Sequence, residues 1–230
     1  VAVLPAGDDR LTGRRSGPML TFGEEPSADV AVFDVSVGPD GRATCSLAHA
    51  GRTLRPTLAL AGRHQPLNLA AAVAAALALG ADFETAVERA AAAEGSAWRM
   101  EIHRGRYTVV NDAYNANPDS TASALATVAS MPGRRIAVLG KMHELGESEA
   151  IGHREVGETA RRLGFAAVVV VGDDPGIAAG AGPIARRVAD AEEAAAVLDG
   201  YLAEGDVVLI KASRAEGLET LADRLKGAAP

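Results

Sequence analysis

The latter half of this sequence predicts an α/β fold with a mostly parallel sheet, on three observations. From Tyr107 onward, apolar strand, polar loop and helix alternate without interruption. Two of the strands, "AAVVVV" (166–171) and "DVVLI" (206–210), are unbroken apolar runs, as expected of strands covered on both faces. Polar side chains then crowd into short loops directly after the strands, the edge at which open α/β sheets bind ligands.

In order, the strands of this half are expected at 107–111, 134–139, 166–171 and 206–210. The helices fall at 118–130, 149–163, 191–203 and 216–226, with a short one near 176–181. Upstream, "VAVLPAGDD", "MLTFG" and "ADVAVFDVSV" read as strands, and "GPDGRATCSLAHAGRTLRPTLAL" as a hairpin turning at Pro39, Asp40 and Gly41. An Ala-rich helix at 66–79 carries Pro66 in its first turn and stops at Gly80. A second, 82–93, ends before Gly95 and Ser96. The boundary between the two halves is expected between Gly95 and Met100, giving domains 1–97 and 98–230. The first of these opens on a strand with no unit before it and reads like the second half of a domain.

Composition narrows the function. At 230 residues and 48% apolar content a real core is available, built from Ala, Val and Leu because aromatics make up only 3%. A net charge of −7 argues against a general nucleic-acid or membrane surface, so a polyanion would need local Arg, Lys or helix N-termini. Cys45 is the only cysteine, which excludes an internal disulfide and suits a reducing cytoplasm. No targeting segment is apparent, and the apolar run 67–80 is shorter than the ~20 residues that span a bilayer.

Three familiar motifs fail on inspection. "GRRIAVLGKM" (133–142) has six residues between its glycines and Met after the Lys, so it is not a phosphate-binding P-loop. "GAGPIA" (180–185) matches a dinucleotide fingerprint only formally, with no strand leading in and Pro183 inside it. "HELGE" lacks the second His of a zinc protease, and five scattered histidines with one Cys suggest no metal cluster.

What remains is four loops, each after an apolar strand and before a helix: "NDAYNANPDS" (111–120), "GKMHELGE" (140–147), "GDDPG" (172–176) and "KASRAEG" (211–217). The first holds more Asn and Asp than a turn requires, although Asn117 or Asp119 also suits a helix cap. "GDDPG" reads equally as a plain turn or a ligand loop. Lys211, Ser213 and Arg214 gather cations directly after a buried strand. His64 and Asn68, four apart, share one face of a helix start.

"DAYNANPDS", "GRRIAVLGKMHELGE", "HREVGETA" and "VVLIKASR" together resemble the Mur ligases, in the branch that adds D-Ala-D-Ala. "GRHQPLNLAAAVAAALALG", "WRMEIHR" and "VLPAGDD" extend the likeness over essentially the whole chain. The resemblance implies the second half of a central ATPase domain followed by a Rossmann-like C-terminal domain. It implies an ATP-dependent ligase acting through an acyl phosphate, with UDP-N-acetylmuramoyl-tripeptide and D-Ala-D-Ala as partners. The P-loop, the Glu and His residues that hold Mg2+ and the commonly carbamylated lysine of the family have no match here, so the chain alone is expected to be inactive. No metal ligand is assigned.

Residue by residue, Asn68 matches the adenine-contacting Asn and His64 its companion, while Gln65 replaces a further Asn. Arg99 matches the Arg that reaches the ATP phosphates, and Asp112 the ribose-binding Asp; Asn115 and Asn117 are placed in the same pocket. On the dipeptide side, "DDPG" and "KASR" stand where the diaminopimelate-adding relatives carry "DNPR" and "KGHE". Ser213 and Arg214, with Lys211, Asp173 and Asp174, are therefore the candidates for D-Ala-D-Ala. Lys141 for an Asp and Ala212 for a Gly are departures from the family pattern. The alternatives are a non-catalytic nucleotide-binding or interaction module of this fold, or a ligase with a different amine acceptor.

Overall fold

The computed structural model describes residues 1–12 and 17–227. It divides into two compact units, Val1–Glu94 and Gly95–Pro230.

In the first unit the elements run β1 (Ala2–Pro5), α1 (Asp9–Thr12), β2 (Met19–Gly23), β3 (Val30–Val37), β4 (Arg42–His49), β5 (Arg52–Leu54), β6 (Thr57–Ala61), α2 (Gln65–Ala78) and α3 (Phe83–Ala91). The sheet order is β1-β2-β3-β4-β5, with β6 also on β4. β1, β2 and β3 are parallel, and the pairs β3–β4, β4–β5 and β4–β6 antiparallel. The stretch expected as one hairpin is thus three strands. Its Pro-Asp-Gly turn joins β3 to β4, and Pro56, which has no N–H to give a ladder, separates β5 from β6. In α2, Leu69, Ala70, Val73 and Ala74 recur at helical spacing and pack on Val30, Val32, Cys45 and Leu47 of the sheet. Asp82 caps α3, its carboxylate accepting from the Thr85 N–H at 3.1 Å.

The second unit runs β7 (Glu101–Arg104), β8 (Thr108–Asn111), α4 (Pro118–Ala129), β9 (Arg135–Leu139), α5 (Glu149–Arg162), β10 (Ala167–Val171), α6 (Pro175–Ala181), β11 (Ala185–Val188), α7 (Ala191–Asp199), β12 (Val207–Lys211) and α8 (Glu219–Gly227). Sheet order is β11-β10-β9-β12-β8-β7, parallel except for β7. One set of strand residues, including Val109, Val138, Val169, Val208 and Ile210, packs under α7 and α8. The alternate set, Val110, Ala137, Leu139, Val168, Val170 and Leu209, is equally buried. The sheet is therefore covered on both faces, which is why its strands read as continuous apolar runs.

Two strands went unpredicted, β7 and β11, and α3, α7 and α8 are shorter than expected. α7 stops at Asp199, before Gly200, rather than at 203. α8 starts at Glu219 because Arg214–Glu216 forms a separate 3-10 turn closed by Gly217, whose φ of 65° lies in the left-handed region. α5 and α6 approach closely through Gly157 and Gly180, where a Cβ on either would strike the other helix's backbone. Among the described residues no helix is long and apolar enough to cross a membrane.

Candidate functional site

In the second unit the chain moves from β9 to β10 and β11 in one direction, then returns so that β12 lies between β9 and β8. The loops after β8, β9 and β12 consequently meet at the carboxyl edge, where the strand order reverses. Two of the meeting points are bonds of Ser213. Its Oγ accepts the His143 N–H at 2.9 Å and reaches the Ala116 carbonyl at 3.4 Å.

The register sets the centre of the site. Ile210 pairs with Asn111, so the next residues, Lys211 and Asp112, end side by side. Lys211 Nζ lies 2.6 Å from Asp112 Oδ2 and donates to the Asn115 carbonyl at 2.8 Å. The lysine side chain is 2% exposed and the aspartate 13%. Asp112 Oδ1 accepts the Met100 N–H at 3.0 Å. Lys211 is thus drawn beneath the rim rather than presented on it.

Met100 belongs to a strained segment. Trp98 (φ 61°) and Met100 (φ 48°) both adopt the left-handed conformation, which costs a residue with a Cβ about 1–3 kcal/mol. Both kinks are pinned to the loop after β8, through Met100 N–H to Asp112 and Tyr114 N–H to the Trp98 carbonyl at 3.0 Å. Between them Arg99 is held with its guanidinium 4.0 Å from the centroid of Tyr114. From the turn after β12, Arg214 stacks on Trp98 at 4.1 Å and lies 5.8 Å from Tyr114. Both arginines are exposed, and among the described residues neither has a carboxylate partner. Two stacked, unneutralised guanidiniums beside a carboxylate make a seat for an anion that also carries hydroxyl donors.

The remaining candidates are placed as follows. Asn117 caps α4 in a capping box with Ser120, its Oδ1 accepting the Ser120 N–H at 2.8 Å. Asn115 is exposed and its Oδ1 takes the Ala116 N–H. Asp173 is exposed, and its carbonyl accepts from Arg187 at 3.0 Å. Asp174 is buried and committed: Oδ1 caps α6, and Oδ2 lies 2.6 Å from His153 Nδ1. In the first unit, His64 and Asn68 are exposed at the start of α2, and Asn68 Nδ2 donates to Gln65 Oε1 at 3.1 Å.

Sequence reading missed two pairings and one group of three at the rim. Lys141 meets Glu149 at 2.8 Å; this bond holds the Glu149 carboxyl below its ordinary range and pushes the Lys141 ammonium up. His143 Nε2 lies 2.6 Å from Glu216 Oε1. Glu149, His153 and Asp174 converge within 4.8 Å, a grouping no spacing rule announced. It does not fit the Mg2+ expected with ATP. Magnesium demands oxygen ligands, whereas His153 Nε2 accepts the Met142 N–H at 2.9 Å, which leaves the ring proton on Nδ1 facing Asp174.

Comparison with known proteins bears on this geometry. Residues 98–214 match the family model of the Mur ligase, glutamate ligase domain. The chain is 37% identical to the UDP-N-acetylmuramoyl-tripeptide–D-alanyl-D-alanine ligase of Mycobacterium tuberculosis, over 94% of this chain and 48% of that protein. Among solved structures it is similar to MurF from Acinetobacter baumannii, with a TM-score of 0.87 and 27% identity, covering 98% of this chain and 51% of that one. It is also similar to a MurF ligase from Thermotoga maritima in complex with ADP, with a TM-score of 0.85 and 26% identity, covering 98% of this chain and 53% of that one. The chain spans about half the length of the curated relatives it matches.

Proposed function

Because the chain belongs to the Mur ligase family, we propose that it serves in an ATP-dependent ligase that joins D-Ala-D-Ala to UDP-N-acetylmuramoyl-tripeptide in peptidoglycan precursor synthesis. In this reading 1–97 is the distal part of an ATP-binding domain and 98–230 the C-terminal ligase domain. The observation that carries it is the rim of the second unit, where Arg99 and Arg214 stack on Tyr114 and Trp98 of the segments bonded to Asp112 and, among the described residues, have no acid of their own.

The chemistry has two steps. The γ-phosphoryl group of ATP passes to the tripeptide carboxylate, giving an acyl phosphate and ADP. The amine of D-Ala-D-Ala then attacks the acyl carbon, loses a proton and expels inorganic phosphate. Catalysis of this kind rests on alignment and on neutralising charge at the phosphoryl oxygens. Arg99 supplies a planar cation for the phosphates, its ring stacking on Tyr114 limiting the orientations it must give up. Asp112 accepts the vicinal hydroxyls of the ribose. Asn68, with His64 beside it, offers amide complementarity to adenine, and Asn115 and Asn117 border the nucleotide loop. Arg214 takes the dipeptide carboxylate, with Asp173 at the neighbouring loop end; Ser213 is buried with its hydroxyl donated to the Ala116 carbonyl and orders the loop beneath. Lys211 and Asp174, both turned into the fold, act as supports. No step is assigned to Mg2+, which the Glu149, His153 and Asp174 group does not fit.

The test is phosphate release by the full-length gene product carrying this chain, with ATP, Mg2+ and UDP-muramoyl-tripeptide, with or without D-Ala-D-Ala. The 230-residue chain is run in parallel. Release by the full-length protein that depends on the dipeptide, with none from the chain alone, is the expected result. Release with L-alanine or another amine in its place reassigns the acceptor, and a full-length protein inert with every acceptor makes this a nucleotide-binding or interaction module.

A further inference from the structure

Lys211 sits on the central strand of the sheet, is almost wholly buried, and has no place in the chemistry above. Its ammonium is nonetheless bonded to two points of one short loop, Asp112 Oδ2 at 2.6 Å and the Asn115 carbonyl at 2.8 Å. A buried ammonium is retained only where acceptors compensate its lost water, and here the acceptors belong to the loop that carries Asp112.

The lone pairs of Asp112 can be counted. An ionised carboxylate offers about four acceptor directions. Lys211 takes one on Oδ2, and the Met100 N–H takes one on Oδ1 at 3.0 Å. One direction on each oxygen is left, and the side chain keeps 13% of its surface open. Two acceptors fixed at the spacing of one carboxylate match two adjacent hydroxyl donors. The match holds only while the carboxylate is locked in this rotamer, and on the side-chain side Lys211 is the lock.

We propose that Lys211 is a positioning residue for sugar-diol recognition: by clamping Asp112 and the Asn115 carbonyl from beneath, it aims the two free carboxylate lone pairs at the vicinal hydroxyls of the nucleotide ribose. The inference rests on the reading of Asp112 as the ribose acceptor and adds what enforces its selectivity. It also moves Lys211 from the dipeptide side of the site to the nucleotide side.

The experiment compares kcat/KM for ATP and for 2′,3′-dideoxy-ATP in the full-length gene product and its Lys211→Met variant. Wild type is expected to prefer ATP by at least about tenfold, since hydrogen bonds to a charged acceptor are strong. The variant is expected to lose most of that preference, to a ratio under about threefold, while KM for D-Ala-D-Ala stays within about twofold. A purely structural lysine would lower stability and leave the ratio intact, and that result overturns the inference. No preference in the wild type instead overturns the ribose reading of Asp112 itself. Should the variant not fold, the ammonium of wild-type protein labelled with 15N-lysine is followed by NMR. The Lys211 Nζ signal is expected to shift with ADP and much less with 2′,3′-dideoxy-ADP; equal shifts with both reject the proposal.

Discussion

Three arginines of the second unit lie on aromatic rings, and the two ends of its sheet treat them differently. At the amino end Arg134 stacks on Tyr201 at 4.5 Å and also meets Asp206 through Nε at 3.0 Å and Nη2 at 2.6 Å. At the carboxyl end Arg99 and Arg214 stack on Tyr114 and Trp98, with no acid bonded to either among the described residues. The aromatic contact is common to both ends, so it cannot be what marks a functional arginine. Among these three, what differs is the carboxylate. Of these three stacked arginines, the one at the amino end is neutralised, and the two at the carboxyl end stand open to an anion from outside. The carboxyl end also carries the left-handed Trp98 and Met100, strain that the sheet's other end does without.

The largest effect should come from removing one of the open cations. Arg99→Ala is expected to lower kcat/KM for ATP in the full-length gene product by about a hundredfold, the worth of one bidentate charged contact at roughly 1.5 kcal/mol per hydrogen bond. Thermal unfolding should shift little, since only the stacking on Tyr114, worth about 0.5–1 kcal/mol, is lost; a larger drop in stability with unaltered kinetics would show Arg99 to be structural after all. Asp206→Ala should do the reverse. The carboxylate is 3% exposed and also accepts the Ala203 N–H at 2.8 Å, so its loss is expected to cost about 3 kcal/mol in urea unfolding, with rates at saturating substrate unaltered.

Acid sharpens the same contrast. Burial pushes the Asp206 carboxyl up, but the Arg134 hydrogen bond and the Ala203 N–H outweigh it and hold the group below its ordinary 3.8. A group depressed in the fold contributes stability that is complete above its unfolded value and is lost as pH falls through the folded one. Between pH 7 and 5 the gap in unfolding free energy between wild type and Asp206→Ala should therefore stay constant, and below 3.8 it should narrow. A gap that persists undiminished to pH 2 would mean the ion pair contributes nothing and only packing was lost.

How much of this was legible beforehand follows from burial and from register. β10 and β12 declared themselves because both faces are covered and every position could be apolar. "EIHR" and "ARRV" did not, since β7 and β11 are edge strands with a wet side, and Glu101, Arg104, Arg186 and Arg187 broke any apolar run. At the site, Asp112 and Lys211 were each visible as polar residues at a strand end. Their union was not, because they stand 99 positions apart and only the pairing of Ile210 with Asn111 makes them neighbours. The same holds for Glu149, His153 and Asp174, whose grouping depends on α5 crossing α6 so closely that only glycine is admitted at 157 and 180. A likeness of motifs could nominate Arg99; that it stacks on Tyr114 needed the fold.

The smallest expected effect isolates the one feature the two ends share. Tyr114→Leu and Tyr201→Leu each remove the ring beneath an arginine, a contact worth about 0.5–1 kcal/mol at an exposed position. At the amino end Asp206 still fixes Arg134, so Tyr201→Leu should leave the kinetics alone and shift stability by no more than that amount. At the carboxyl end no carboxylate among the described residues fixes Arg99, so Tyr114→Leu should raise KM for ATP about two- to fivefold, as the guanidinium must be ordered by the nucleotide itself. Tyr114→Phe separates ring from hydroxyl: the face of the ring is retained, and KM should match wild type. If the Phe variant instead behaves like the Leu variant, the hydroxyl is what the nucleotide meets, and the stacking seen at both ends of the sheet has no part in holding Arg99 ready.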